Sequence, residues 1–310
     1  MIRLFSLTLT LALLLTASGC VGRAAAPDPE PVTVSAPEVL PDPPPEPESP
    51  PPEEESPPPE EESPPPEEAG EPEEPYVRVI DPSKPMVALT FDDGPSGLCT
   101  DQILDVLEEN HALATFFEVG RNVARCPEPV KRMAELGCEV ASHSNAHKDL
   151  SRLKKAALLA DLDTADQAFA SAGVEAPTLV RPPYGAVNQT VKSATGRSVI
   201  TWTVDTLDWK SRDAQAVIDY IQGYGDLDGE IVLMHSIYSS TAEAVAALVP
   251  WLQEQGYQLV TVTELMAYYY GELPQPNCFY GYTYFTTHGR TDTPVELPGM
   301  LPPAAEEAEG

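Results

Sequence analysis

Apolar and polar positions fall into short blocks along the second part of the chain. Seven apolar runs stand out, at 86–91 (MVALTF), 114–120 (ATFFEVG), 138–142 (CEVAS), 178–181 (TLVR), 199–204 (VITWTV), 230–235 (EIVLMH) and 258–262 (QLVTV). Each is short and rich in β-branched or aromatic residues, which predicts strands. Between them the apolar spacing becomes helical. Thr100 is placed to cap a helix with Ile103, Leu104 and Leu107 on one face. Pro127 and Pro129 open another helix, which Gly137 closes. Residues 151–171 predict a long amphipathic helix ended by Gly173, and Ala242 to Gln255 predict one ended by Gly256. Strand and helix alternating in this way argue for parallel strands joined by helical crossovers. The fold expected is α/β, a distorted (β/α) barrel of about seven parallel strands. An open doubly wound sheet is the alternative. In both, function belongs at the C-terminal ends of the strands.

Composition divides the chain differently. Its 310 residues carry a formal net charge of -31. Residues 27–75 contain no Lys or Arg, and Ser-Pro-Pro-Pro-Glu-Glu-Glu recurs almost perfectly from Ser49, Ser56 and Ser63. Such a segment buries too little apolar surface to offset its ordering entropy. Proline and carboxylate repulsion extend it, to a reach on the order of 150 Å at ~3.1 Å per residue. It predicts a disordered stalk over 21–75. The acidity predicts no nucleic-acid partner. Ahead of the stalk, Arg3 precedes an apolar run from Leu4 to Thr16 that is too short to span a bilayer. It ends in Ala17-Ser18-Gly19-Cys20, which resembles a lipoprotein signal although Ala17 stands where Leu is usual. Residues 1–20 are thus expected to be a signal peptide, with lipid on Cys20 holding an exported protein at the bacterial cell membrane. Cleavage near Ala24-Ala25-Ala26, releasing the protein, is the alternative. Export permits disulfides. None of Cys99, Cys126, Cys138 and Cys278 forms a Cys-x-x-Cys pair, which argues against a thiolate metal site. Cys138 reads as a buried thiol, and a bridge between Cys99 and Cys126 is open.

The predicted strand ends collect chemistry. The first ends in Asp92-Asp93-Gly94-Pro95, and the third leads into His143-Ser144-Asn145-Ala146-His147. Arg181-Pro182-Pro183-Tyr184-Gly185, Asp205-Thr206-Leu207-Asp208-Trp209 and His235 follow later strands. Each alone has a plain structural reading: an Asp-Gly-Pro turn, a chance His pair, a rigid loop, a core histidine. Their gathering on one rim is what points to function. Of five histidines, only His111 and His288 fall elsewhere. Two imidazoles four residues apart, one helical turn, with one carboxylate suit zinc and leave a position open for water. One of the adjacent carboxylates can then hold the metal while the other takes a proton from that water.

These stretches, in this order, resemble the polysaccharide deacetylases of carbohydrate esterase family 4, the NodB homology domain. TFDDGP, HSNAHKDL, RPPYG, DTLDW and LMH are similar to the family's five motifs. The resemblance implies a deacetylase domain over 76–275, a distorted barrel and a divalent cofactor, most often Zn2+ with Co2+, Mn2+ or Ni2+ as alternatives. It implies Asp92 as general base, Asp93, His143 and His147 as metal ligands, and His235 as general acid. It implies that Arg181 orients Asp92, that Asp205 does the same for His235, and that the Tyr184 N–H donates to the oxyanion. Trp209, Leu233 and Pro183 would wall the acetyl pocket.

An exported, tethered deacetylase on a stalk points to a polymer of the cell envelope, with peptidoglycan N-acetylglucosamine first. An O-acetyl esterase acting on xylan or exopolysaccharide, or a non-catalytic sugar-binding lipoprotein, are the alternatives. The reading expects a monomer. Residues 276–310 form a C-terminal extension, expected to be partly disordered. Its alternating Phe279, Tyr280, Tyr282, Tyr284 and Phe285 fit an extra edge strand better than a sugar platform.

Overall fold

The computed structural model describes residues 79–297, which lie in one compact unit. The expected signal peptide, Cys20, the stalk and the tail from residue 298 lie outside the described residues. Nine strands are assigned: β1 (Met86–Asp92), β2 (Thr115–Glu118), β3 (Glu139–Ser142), β4 (Leu179–Val180), β5 (Ser198–Ile200), β6 (Val204–Asp205), β7 (Ile231–His235), β8 (Gln258–Leu259) and β9 (Phe279–Tyr280). All of their pairings are parallel. The lateral order is β6-β7-β1-β2-β3-β4-β5-β9, with β8 beside the start of β1.

That order contains the closure. The run 199–204, expected as one strand, is split between β5, which pairs with β4, and β6, which pairs with β7. In a flat sheet these two would stand six strand spacings apart, about 29 Å. The link between them, 201–203, reaches at most about 14 Å from Ile200 to Val204. The sheet must therefore curl until its ends meet. This excludes the open doubly wound alternative and makes the distorted barrel.

Helices wrap the outside: α1 (Leu98–Glu109), α2 (Gly120–Arg125), α3 (Pro127–Glu135), α4 (Lys155–Ser171), α5 (Gln189–Ala194), α6 (Asp208–Ser211), α7 (Ala214–Gly223), α8 (Ser239–Glu254), α9 (Val262–Leu265) and α10 (Tyr282–Thr287). No described helix is long and apolar enough to cross a membrane. β1 is buried along its whole length because it has a core on each face. Val87, Leu89 and Phe91 pack outward with Ile103, Leu104 and Leu107 of α1. Met86 and Ala88 pack inward with Phe117, Ile200 and Ile231. The same inner core takes Tyr280 and Phe285, so the C-terminal segment is anchored in the barrel. The expected edge strand is present only as the two residues of β9, paired with β5; Tyr282–Thr287 are helical.

Two helix starts differ from expectation. Gly97, not Thr100, precedes α1, and the Thr100 hydroxyl lies inside the helix, accepting from the Ser96 N–H at 3.0 Å. The chain at 150–152 makes a separate short turn, capped by Asp149, before α4 begins at Lys155. None of the four described cysteines forms a disulfide: Cys138 is buried, and no Cys99–Cys126 bridge is present.

Candidate active site

Strand register assembles the site. Across β1 and β7, Asp92 lies directly beside His235, so a base candidate and an acid candidate share one rung of the ladder. Asp92 is almost fully buried. Its Oδ1 accepts from Arg181 Nη1 at 2.7 Å, and the same nitrogen donates to Thr90 Oγ1 at 2.8 Å. Arg181 is fully buried under the Phe117 ring, 3.9 Å from its centroid. Burial pulls its pKa down against the opposing charge of Asp92. A buried guanidinium needs such a partner, so the pair is also structural.

The next residue, Asp93, leaves the strand with φ 73°, and the two carboxylates reach His143 Nε2 from different sides of the chain turn, Asp92 Oδ2 at 3.7 Å and Asp93 Oδ1 at 3.4 Å. Gly94 follows where a side chain could not fit. A Cβ there would lie 2.4 Å from Ser236 Oγ and 2.8 Å from a carboxylate oxygen of Glu118. His143 and His147 come from the loop after β3. They are not on a helix, as their spacing suggested, because Ser144 (φ 65°) and His147 (φ 52°) are left-handed. The loop still brings both rings to Asp93. His147 Nε2 is 3.0 Å and His143 Nε2 3.4 Å from Asp93 Oδ1, with ring centroids 5.0 Å apart.

Hydrogen bonding decides what this trio can hold. His143 Nδ1 lies 2.7 Å from the Arg181 carbonyl, which can only accept. In a neutral ring the proton is therefore on Nδ1, and Nε2 turns its lone pair toward Asp93. Asp93 Oδ1 is itself buried with no hydrogen-bond donor. Lone pairs facing one another are unfavourable unless a cation lies between them. Asp93, His143 and His147 offer ligand atoms all within 4.8 Å of one another, a set that fits a divalent metal. Burial would raise the pKa of Asp93, but the two imidazoles outweigh it and hold the carboxyl far below its ordinary range.

On the other side, the structure corrects the partner of His235. It is Asp208, not Asp205. Asp208 is fully buried, and its Oδ1 lies 2.8 Å from His235 Nδ1. Its Oδ2 accepts from the His235 N–H and from Thr241 Oγ1, both at 2.7 Å. Asp205 instead accepts the Leu207 N–H at 2.9 Å. The reason is Leu207, whose left-handed φ of 57° breaks the strand and swings Asp208 inward as α6 begins. Burial lowers the pKa of His235. The bond and charge of Asp208, then the charges of Asp92 and Asp93, overcome this and leave it raised.

These groups line one cavity of about 490 Å3, with Tyr184, Asp205, Trp209 and Leu233 also on its wall. Pro183 is buried in the turn behind Tyr184 and is not on that wall. Tyr184 holds φ 63° and stands 70% exposed at the cavity mouth, its ring edge-on to His147 at 4.8 Å. Sequence reasoning missed Trp202 and Tyr238 on the wall. It also missed Glu118, which is buried beneath Gly94 with both carboxylate oxygens unpartnered. Burial, then the charges of Asp92 and Asp93, push its pKa well above the ordinary carboxylate value. One signal was available for Glu118: a charged residue in the middle of the apolar run 114–120.

Comparison with known proteins agrees with this geometry. Residues 80–202 match the family model described as polysaccharide deacetylase. Over 192 residues the chain is 42% identical to the peptidoglycan-N-acetylmuramic acid deacetylase PdaC of Bacillus subtilis, covering 62% of this chain and 41% of that protein. The chain thus spans about two fifths of the length of that relative. A peptidoglycan-N-acetylglucosamine deacetylase of Bacillus cereus is 35% identical over 191 residues, covering 59% of this chain and 89% of that protein. Among solved structures, the T48 deacetylase with substrate superposes with a TM-score of 0.61 at 39% identity, covering 65% of this chain and 100% of that one. Likeness over nearly the whole of such relatives carries the assignment: this chain belongs to the polysaccharide deacetylase family.

Proposed function

We propose that the chain is a zinc-dependent de-N-acetylase of a cell-envelope polysaccharide, with peptidoglycan N-acetylglucosamine as the leading substrate. One observation carries the reading. A base, an acid and a two-histidine, one-carboxylate ligand set meet in a single cavity. Pure sugar binding requires neither the base nor the acid.

Asp93, His143 and His147 would hold the zinc. When bound, it supplies an activated water at neutral pH and positive charge for the amide oxygen. Asp92 removes the proton from the attacking water. Arg181 fixes its Oδ1, which leaves Oδ2 for that task. His235 returns a proton to the leaving nitrogen. Asp208 occupies its Nδ1, so Nε2 is the donor, and the raised pKa keeps it protonated for that step. The Tyr184 N–H would donate to the developing oxyanion. Leu233 and Trp209 would enclose the acetyl methyl.

The same reading takes the protein to be exported and held at the membrane by lipid on Cys20, with residues 21–75 as its stalk. The export and the anchor rest on the sequence of residues 1–20; for the substrate, support comes from relatives named for peptidoglycan. Those names differ in the sugar, N-acetylmuramic acid for one and N-acetylglucosamine for the other.

The test is acetate release by the full chain with added zinc, from N-acetylglucosamine oligomers, N-acetylated peptidoglycan and acetylated xylan. Release from the amides that stops with a chelator is expected. Release from xylan alone would replace the reading with an esterase on the same machinery. A protein that binds zinc and releases nothing from any of them would favour the binding-protein alternative.

A further inference from the structure

The 201–203 link carries the chain from β5 to β6 across the closure, and no strand pairing joins β6 to β9, the two ends of the sheet order, among the described residues, so the closure is a seam. Along the 201–203 link lies a groove of about 420 Å3. It shares Tyr184, Trp202 and Asp205 with the catalytic cavity, so the two are adjacent. Its far wall is Phe279, Tyr282 and Thr283, from the C-terminal segment. That segment lies beyond residues 80–202 of the family-model match. Tyr282 is 62% exposed, and the inner core anchors the element that carries it through Tyr280 and Phe285.

Apolar anchoring does not account for the groove face. Phe285 points into the core from the same short helix that leaves Tyr282 and Thr283 in solvent. Large rigid rings standing in water beside a catalytic cavity present flat apolar faces at little entropic cost. The Asp205 carboxylate, freed from the role expected of it, lies on the same wall and accepts only the Leu207 N–H among its described bonds. Flat rings beside carboxylate and hydroxyl groups match a pyranose ring, which has an apolar C–H face and a rim of hydroxyl donors.

We propose that this seam groove is a second sugar subsite. It takes a neighbouring ring of the polysaccharide strand whose N-acetyl group enters the catalytic cavity. Tyr282 stacks on that ring, and Asp205 and Thr283 meet its hydroxyls. The proposal rests on the deacetylase reading for the identity of the strand. It makes the enzyme select for chain length through a segment outside the catalytic motifs.

The experiment uses the full chain and two exposed positions away from the catalytic cavity, Tyr282→Ala and Thr283→Arg, the second filling the groove. Acetate release is measured with zinc on N-acetylglucosamine and on its oligomers up to the hexamer. Binding of the same oligomers is followed separately by tryptophan fluorescence in chelator-treated protein, since Trp202 borders both cavities. In both variants kcat/KM for the oligomers is expected to fall about three- to tenfold, with monomeric N-acetylglucosamine unchanged and oligomer binding weakened in parallel. Variants that bind and cleave every length like the parent overturn the subsite and leave the deacetylase reading standing. A parent with no length preference in either measurement overturns it as well. Tyr282-dependent binding of long oligomers with no acetate released by the parent supports the subsite and sinks the deacetylase reading instead.

Discussion

The two ends of the barrel treat polar groups in opposite ways. At the catalytic rim, Asp93 Oδ1, both oxygens of Glu118, and the hydroxyls of Ser142 and Ser236 are buried without partners. Of the eight non-glycine residues with positive φ among the described residues, six lie in the rim loops: Asp93, Ser144, His147, Tyr184, Leu207 and Arg212. At the opposite end the carboxylates are satisfied. Glu139 accepts from Thr115 Oγ1 at 2.9 Å, from the Thr263 N–H at 3.1 Å, and from the Thr263 hydroxyl. Thr261 and Glu264 form a reciprocal cap on α9. Asp228 receives the Met86 N–H at 2.9 Å and two bonds from Arg290. Arg197 is the exception there, since its Nη1 is unpartnered although the side chain pairs with Asp166. Unpartnered polar atoms and left-handed backbone each cost free energy. One end thus holds its groups in readiness for a ligand, and the other supplies stability.

That contrast can be broken by experiment. The largest effect is expected from Asp93→Asn, which replaces a ligand at the rim. Zinc retention should be lost and acetate release should fall by about 10²-fold or more. At a pH where His143 and His147 are neutral, the unfolding midpoint of the zinc-free protein should not drop, because Asp93 Oδ1 then has no donor to lose. A clear drop in that midpoint would show that the rim is stabilising after all. Metal analysis and calorimetry read both quantities.

Asp208→Asn comes next, at about 10²-fold in kcat/KM. It also carries a sign. Asp208 raises the pKa of His235, so removing its charge lowers that pKa. An acid is active while protonated, so the basic limb of the pH–rate profile should move to lower pH. An unmoved limb would remove His235 from the acid role. In the parent, this pair stabilises the fold fully below the ordinary histidine range. The contribution is lost as pH rises through the raised pKa.

The smallest effects on catalysis belong to the opposite end. Glu139→Ala should cost about 1–3 kcal/mol of stability by stranding three donors, and Thr263→Val about 1 kcal/mol. Specific activity of the folded fraction should stay at the parent level in both. Denaturant unfolding alongside acetate release would show this, and lost activity without lost stability would erase the distinction between the two ends.

Much of this architecture was readable from residues alone. The apolar runs at 86–91, 114–120, 138–142 and 230–235 mark β1, β2, β3 and β7 within a residue or two, because parallel strands buried on both faces must be apolar throughout. Residues 199–204 misled because periodicity reports burial and not pairing. Val199 and Ile200 at one end and Val204 at the other are buried, yet the two ends pair with different neighbours. The His143–His147 spacing suggested a helix, but backbone at Ser144 and His147 does the same work in a loop.

What the order of residues settled by itself is the inventory of chemistry and the rim on which it falls. Parallel strands run in one direction, so groups that follow them in sequence are carried to one end in space. What only the tertiary structure decided is which of two identical carboxylates does what. Asp205 and Asp208 stand three residues apart in one motif, and nothing in their order separates them. The left-handed turn at Leu207 and the register of β6 on β7 deliver the second to His235. Local pattern encodes burial and direction. Partnership depends on distance across the fold, and the seam groove exists only because distant segments close the barrel around it.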